Sequence, residues 1–212
     1  MKDLQYKIII PARKNSKGFP FKNRRLLDKT LSIIPQNALQ NVIITTDDEE
    51  IIERALEKNI DTHLRSEIAS SDTASTKLAI EECVKDMEID SDCLIVMLYL
   101  TYPNRVWKHV VDSVKEMVSC NRNSLLCKQE PKSHPFLCLY ELQDNKGKQI
   151  ISHDLYRRQD YPKCFELSHY VSAFYVKELQ NLNKNMYNKD TYFYEINRVV
   201  DVDYEKDLED LK

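Results

Sequence analysis

The stretch Lys7 to Asn23 reads KIIIPARKNSKGFPFKN, and the join inside it decides the fold. Lys7 to Pro11 is a short, unbroken run of β-branched residues, the pattern of a strand buried on both faces. It passes without a spacer into a polar, basic loop. Arg13, Lys14, Ser16, Lys17, Lys22, Asn23, Arg24 and Arg25 crowd behind it. In open α/β sheets, ligands bind at the carboxyl end of such a strand. Ser16 and Gly18 offer backbone N–H groups to phosphate oxygens, and Arg13 and Lys22 offer charge. The loop has neither the GxxxxGK[ST] spacing of a P-loop nor the GxGxxG of a dinucleotide fingerprint. A generic basic run is more often a solvated surface. The position after a strand and the rarity of glycine, with only Gly18 and Gly147 in the chain, argue against that here.

Outward from this point the chain alternates. Asn41 to Thr46 (NVIITT) reads as a second buried strand, closed by Asp47 and Asp48. Ile51, Ile52, Ala55 and Leu56 then recur at helical spacing. Ser75 to Met87 reads as an amphipathic helix capped by the Thr73–Thr76 hydroxyls, Cys93 to Leu100 as a strand, and Trp107 to Met117 as a helix. The interval from Leu27 to Val42, shortened by Pro35, leaves room for a crossover helix of roughly two turns. Strands and helices alternating in this way predict an α/β fold with a three-layer, Rossmann-like, mostly parallel sheet. From about Leu125 the texture changes. Ser124 to Lys128, Phe136 to Leu142 and Tyr170 to Val176 read as strands separated by loops, a β-rich excursion over about 130–175 of the kind through which such folds dimerise. Val199 to Asp203 reads as a last strand, with a helix from about Tyr204. We expect one domain over 1–212.

Composition limits the partners. A net charge of −3 gives no overall cationic field for nucleic acid or an anionic membrane. No apolar run approaches the roughly 20 residues of a membrane span. The six cysteines form no CxxC pair or zinc spacing and nothing reads as a signal peptide, so we expect reduced thiols in a cytoplasmic protein. The five histidines show no metal spacing.

The pattern PAR-x-x-SKG-x-P-x-KN from Pro11 to Asn23 resembles the signature of the CMP-N-acylneuraminate (CMP-sialic acid) synthetases, or acylneuraminate cytidylyltransferases. The family's glycine before the serine is Asn15 here, a residue that tolerates a left-handed backbone. Further blocks follow in the family's order. Asp47 with Glu49-Glu50-Ile51 resembles STD-x-EEI, Leu64-Arg65 with Ser71 to Thr76 resembles LR…SDTASS, Tyr156 to Pro162 resembles RRQ-x-x-P, and Val200 to Leu208 resembles DID-x-x-x-DL. The resemblance implies a nucleotide-diphospho-sugar-transferase-like fold and a cytidylyltransferase that moves CMP from CTP to a small acidic acceptor with loss of pyrophosphate.

By the same resemblance Pro11, Ala12, Arg13, Ser16, Lys17, Gly18, Lys22, Asn23, Arg65 and Thr76 bind the nucleotide. Arg13, Lys22, Asp201 and Asp203 are catalytic, Asp201 and Asp203 hold Mg²⁺, and a homodimer is implied. The i, i+2 spacing of the aspartates puts both carboxylates on one face of a strand, although paired aspartates before a helix are more often its terminal charges.

The acceptor side departs from the pattern. Arg158 keeps its place at the acceptor's carboxylate. The glutamine that usually touches the sugar acid is Tyr99, and the stretch after RRQ becomes Glu166 to Tyr175. Tyr99, Arg158, Glu166 and Tyr175 are the acceptor candidates. Sialic, legionaminic or pseudaminic acid, or another anionic acceptor such as a phosphorylated or phosphonate metabolite, all remain open. So do two further readings, a non-catalytic nucleotide-binding homologue and a phosphosugar nucleotidyltransferase using another NTP.

Overall fold

The computed structural model describes residues 4–16 and 18–211, so the expectation placed on Lys17 lies outside the described residues. A seven-stranded sheet has the order β3-β2-β1-β4-β8-β5-β9. Its strands are β1 (Tyr6–Ala12), β2 (Val42–Thr46), β3 (Asp61–Leu64), β4 (Leu94–Met97), β5 (Ser124–Gln129), β8 (Glu166–Tyr175) and β9 (Tyr192–Glu195). β8 alone runs antiparallel to its neighbours β4 and β5; the other pairings are parallel. The helices are α1 (Lys22–Ser32), α2 (Gln36–Leu39), α3 (Glu49–Leu56), α4 (Glu67–Ser70), α5 (Thr76–Asp86) and α6 (Trp107–Ser119).

Alternation along the strands explains the three layers. Ile8, Ile10, Val42, Ile44, Leu94 and Val96 face one side, where they meet Leu27 and Leu31 of α1, Ile51 and Ala55 of α3 and Val110, Val114 and Met117 of α6. Ile9, Ile43, Ile95 and Met97 face the other, against Ile80 and Cys83 of α5. These strand residues are fully buried, which is why the sequence shows continuous apolar runs. Each such side chain contributes about 1.5–3 kcal/mol on leaving water.

β1 leads to β2 and β3 on one side, and the chain then returns to place β4 on β1's other flank. The connections diverge between β1 and β4, so a crevice opens at the carboxyl ends of these two strands.

Several expectations need correction. The basic segment is not all loop, because α1 begins at Lys22 and carries Lys22 to Arg25 in its first turn. The crossover helix starts at Lys22, ahead of the Leu27 to Val42 interval, ends at Ser32 inside it, and is followed after Pro35 by the short α2. Asn15 is not left-handed; Phe21 is, with φ 53°, and the guanidinium of Arg24 lies 4.4 Å from its ring centre. Phe136 to Leu142 is a 3₁₀ turn (Pro135–Leu137) followed by β6 (Leu139–Glu141), which pairs only with β7 (Gly147–Gln149) outside the main sheet. Val199 to Asp203 is not a strand. β1 and β4 have neighbours on both sides, so the segment lies across the strand ends on one backbone bond, Val202 N to Thr101 O at 2.8 Å. The segment after it, Glu205–Leu211, is 3₁₀ rather than α-helical.

Candidate active site

At the crevice lies a cavity of about 310 Å³ lined by Arg13, Ser16, Lys22, Asn23, Arg65, Thr76 and Tyr99. A larger groove of about 780 Å³ sits among Lys7, Glu88, Asp90 and Lys115 at the amino ends of the strands. Its lysines are balanced by its carboxylates, so it offers no net charge to a polyphosphate.

The loop after β1 is held in shape from below. Thr46 Oγ1 donates to Ala12 O at 2.5 Å, Asp47 Oδ1 accepts from Lys14 N at 2.7 Å, and Asn23 Nδ2 donates to Arg13 O at 2.7 Å. Ala12 is itself fully buried in the strand and serves the scaffold rather than the cavity. The basic residues divide by role. Arg24 pairs with Asp48 at 2.7 Å and Glu50 at 2.6 Å, and Arg25 with Glu205 at 2.6 Å. That leaves Arg13 and Lys22 at the cavity, Arg13 meeting Ser71 O at 3.2 Å and Asp72 Oδ1 at 3.1 Å.

Lys22 reaches the far end of the chain. Its Nζ donates to Val202 O at 2.9 Å and to Asp203 Oδ1 at 3.1 Å. Gly18 packs on the same segment, where an added Cβ would sit 2.9 Å from Asp203 O and 3.1 Å from the Tyr204 ring. Close approach, not a positive φ, is what requires glycine here. Asp201 Oδ2 accepts from the Tyr102 hydroxyl at 2.8 Å.

On the other wall Arg65 Nε donates to Thr45 O at 3.1 Å and to Thr45 Oγ1 at 3.3 Å, and the side chain lines the cavity. Burial lowers the Arg65 guanidinium to about 10; the nearby Asp47 raises it and Arg13 lowers it further. Ser75 caps α5 by accepting from Leu78 N at 3.3 Å, so Thr76 stands in the helix's first turn. Tyr99 is pushed up to about 12 by burial, opposed by hydrogen bonding to Thr76 and the charge of Arg65. Its ring lies 5.1 Å from that of His169.

The acceptor candidates scatter. Tyr99 lines the cavity. Glu166 is at the cavity end of β8 but is tied to Gln129 Nε2 at 2.7 Å and Lys132 N at 3.3 Å. Arg158 sits on an exposed 3₁₀ turn (Arg158–Asp160) and does not line the cavity. Tyr175 is at the wrong end. β8 runs antiparallel, so its last residue pairs with Leu94 at the amino end of β4.

Tyr102 and His169 are neighbours of the site that the sequence pattern does not mark, and Asp72 is one to which it assigned no role. Tyr102 and His169 are among many aromatic and imidazole residues with no distinctive spacing. Asp72 lies inside the SDTAS block, where its charge was the available signal.

A sequence-family model described as Cytidylyltransferase matches residues 7–212. The chain belongs to this family. Among its relatives, the N-acylneuraminate cytidylyltransferase of Streptococcus agalactiae serotype V is 25% identical over 207 residues, covering 92% of this chain and 49% of that protein. The pseudaminic acid cytidylyltransferase of Campylobacter jejuni is 28% identical over 179 residues, covering 79% of this chain and 75% of the relative. The chain thus spans about half the length of the streptococcal relative. A solved structure of CMP:2-keto-3-deoxy-manno-octonic acid synthetase complexed with CTP superposes with a TM-score of 0.66 at 13% identity, covering 98% of this chain and 96% of its own. At that identity the likeness concerns the fold: this member of the cytidylyltransferase family has the nucleotidyltransferase sheet. No helix among the described residues is long and apolar enough to cross a membrane.

Proposed function

We propose that this chain is a CTP-dependent cytidylyltransferase that moves CMP to a small acidic acceptor of the nonulosonic acid class. The observation that carries the reading is the meeting of Lys22 with Val202 and Asp203, which joins the basic turn after β1 to the carboxylate segment near the end of the chain.

An acceptor hydroxyl oxygen attacks the α-phosphorus of CTP. The new O–P bond forms as the α–β bridging P–O bond breaks, the hydroxyl proton leaves to solvent, and pyrophosphate departs. Catalysis of this kind is positioning plus neutralisation of charge. Arg13 and Lys22 neutralise the phosphates, Ser16 with the loop amides holds them, and Arg65 and Thr76, on the same cavity wall, act on the cytidine side. Tyr99 separates the nucleotide from the acceptor.

Asp201 and Asp203 fit Mg²⁺, an ion that takes one or two carboxylates and completes its shell with water and phosphate oxygens. No group of three or more acidic, histidine or cysteine side chains suited to a metal occurs among the described residues, so the fit rests on the chemistry of these two carboxylates alone. When bound, the ion supplies charge at the transferring phosphate.

The excursion exposes Leu139, Tyr140, Leu142 and Tyr156, the last 95% exposed. We read this apolar surface as the contact of a homodimer, and the protein as cytoplasmic, in keeping with six free cysteines.

The test is pyrophosphate release from CTP with Mg²⁺ and a panel containing sialic, legionaminic and pseudaminic acids, alongside phosphorylated and phosphonate acceptors. Release with one acid at a rate well above the acceptor-free control supports the reading. Tight CTP binding without turnover on any member overturns it in favour of a binding protein.

A further inference from the structure

Behind Asp201 lie two buried residues that line no cavity of the site. Tyr102 is 4% exposed, and its hydroxyl has both of its roles assigned: it donates to Asp201 Oδ2 at 2.8 Å and accepts from His169 N at 3.1 Å. A phenol has one proton to give, so the backbone N–H of His169 fixes which way that proton points. The carboxylate is thereby held from the protein side through Oδ2, while the residue is otherwise exposed.

Arg105 is 2% exposed and has no ion-pair partner among the described residues. It spends its donors on two carbonyls instead, Nε on Tyr170 O and Nη2 on Tyr99 O, both at 2.7 Å. Nη1 is buried without a partner. The guanidinium lies 5.6 Å from the centre of the Tyr102 ring and 5.4 Å from that of Tyr170. Burying a guanidinium without a carboxylate is costly, so a well-packed apolar residue would serve the core better. The two carbonyls belong to the turn after β4 and to β8, and Arg105 fastens one to the other with Tyr102 between them.

We propose that Tyr102 and Arg105 form a positioning relay for Asp201, Tyr102 orienting its carboxylate by hydrogen bond and Arg105 fixing Tyr102 by clamping Tyr99 and Tyr170. The inference rests on the reading of Asp201 as a carboxylate that holds the divalent ion. Residues that orient a metal ligand from behind affect metal affinity while leaving other ligands of the site untouched.

The experiment compares wild type with Tyr102→Phe, Arg105→Lys and the double variant. Mn²⁺ affinity is measured by calorimetry in the presence of CTP without acceptor, and CTP affinity is measured in EDTA. Tyr102→Phe removes only a hydroxyl and Arg105→Lys keeps the charge; near-ultraviolet circular dichroism confirms that each is folded. The relay predicts that each single change weakens Mn²⁺ binding by about tenfold. It predicts CTP affinity in EDTA unchanged within about twofold, and a double variant no weaker than the poorer single, because residues acting as a unit are not additive. Three results overturn it: unchanged Mn²⁺ affinity in folded Tyr102→Phe, additive losses in the double variant, or no Mn²⁺ binding by wild type with CTP. Turnover is scored separately. A wild type that binds Mn²⁺ with CTP but transfers to no acceptor sinks the functional reading while the isotherms still decide the relay.

Discussion

Lys22 Nζ and Asp203 Oδ1 lie 3.1 Å apart although 181 positions separate them in the chain. Lys22 is 8% exposed while the Asp203 side chain is 67% exposed, so the pair sits at the lip of the crevice with the cation inside and the carboxylate outside. In the proposed reaction Lys22, which lines the cavity, is the charge that a bound triphosphate would meet there. Lys22→Met should lower turnover by about 10²–10³, the range for losing one preorganised donor at a developing charge. Asp203→Asn should lower it comparably through the metal side. Thermal midpoints of both should stay within a few degrees of wild type, since a partner this exposed contributes little stability. Calorimetry with pyrophosphate-release kinetics checks both, and a near-wild-type rate in folded Lys22→Met contradicts the assignment.

Gly18→Ala should open the site without unfolding the protein. The new methyl meets the carbonyl of Asp203 at 2.9 Å, a backbone atom that cannot swing aside. Gly147→Ala meets only the flexible end of Leu139 at 3.1 Å and is the control. Hydrogen exchange over 201–205 should accelerate in the first variant alone, with a fall in turnover.

Asp72→Asn should strengthen CTP binding. Arg13 is held by Ser71 O and Asp72, and a triphosphate competes with that carboxylate for the guanidinium. Surface pairs contribute about 0.2–1 kcal/mol, so the gain should be about 1.4- to fivefold in Kd. Titration calorimetry at two salt concentrations measures it, with the advantage shrinking at the higher one.

Arg65 trades stability for binding. Its folded-state value of about 10 lies below the ordinary arginine range because the cation is buried. The unfolded chain therefore holds this proton more tightly. The charge therefore costs the folded state stability at every pH below about 10. That cost is relieved only as pH rises above about 10. Arg65→Met should melt at the same temperature or higher at pH 7, while the midpoint shift produced by CTP disappears. A variant that melts lower and still responds to CTP contradicts both halves.

The parts of this protein legible in the residues are those set by local rules. Ile8 to Ile10 and Val42 to Ile44 had to be strands buried on both faces, because nothing else accommodates unbroken β-branched runs between polar turns. The loop from Arg13 to Lys22 stood out through composition and position. β3 and β9 were not legible: DTHL and YFYE are short and partly polar, and their pairing with β2 and β5 comes from the sheet, not from their own pattern. Tyr175 became an acceptor candidate through the family resemblance, which does not tell which way its strand runs here. Only its antiparallel pairing put that residue at the far end.

The sequence by itself determined the layered α/β core, the basic turn after β1 and the two carboxylates near the end, since each follows from which side chains are neighbours along the chain. The tertiary structure alone decided that Val199 to Asp203 crosses the strand ends, that Lys22 and Gly18 close on it, and that Tyr102 stands behind Asp201. Those hydrogen bonds join residues 99 to 181 positions apart, and contacts over such separations are fixed by the order and direction of strands in the sheet.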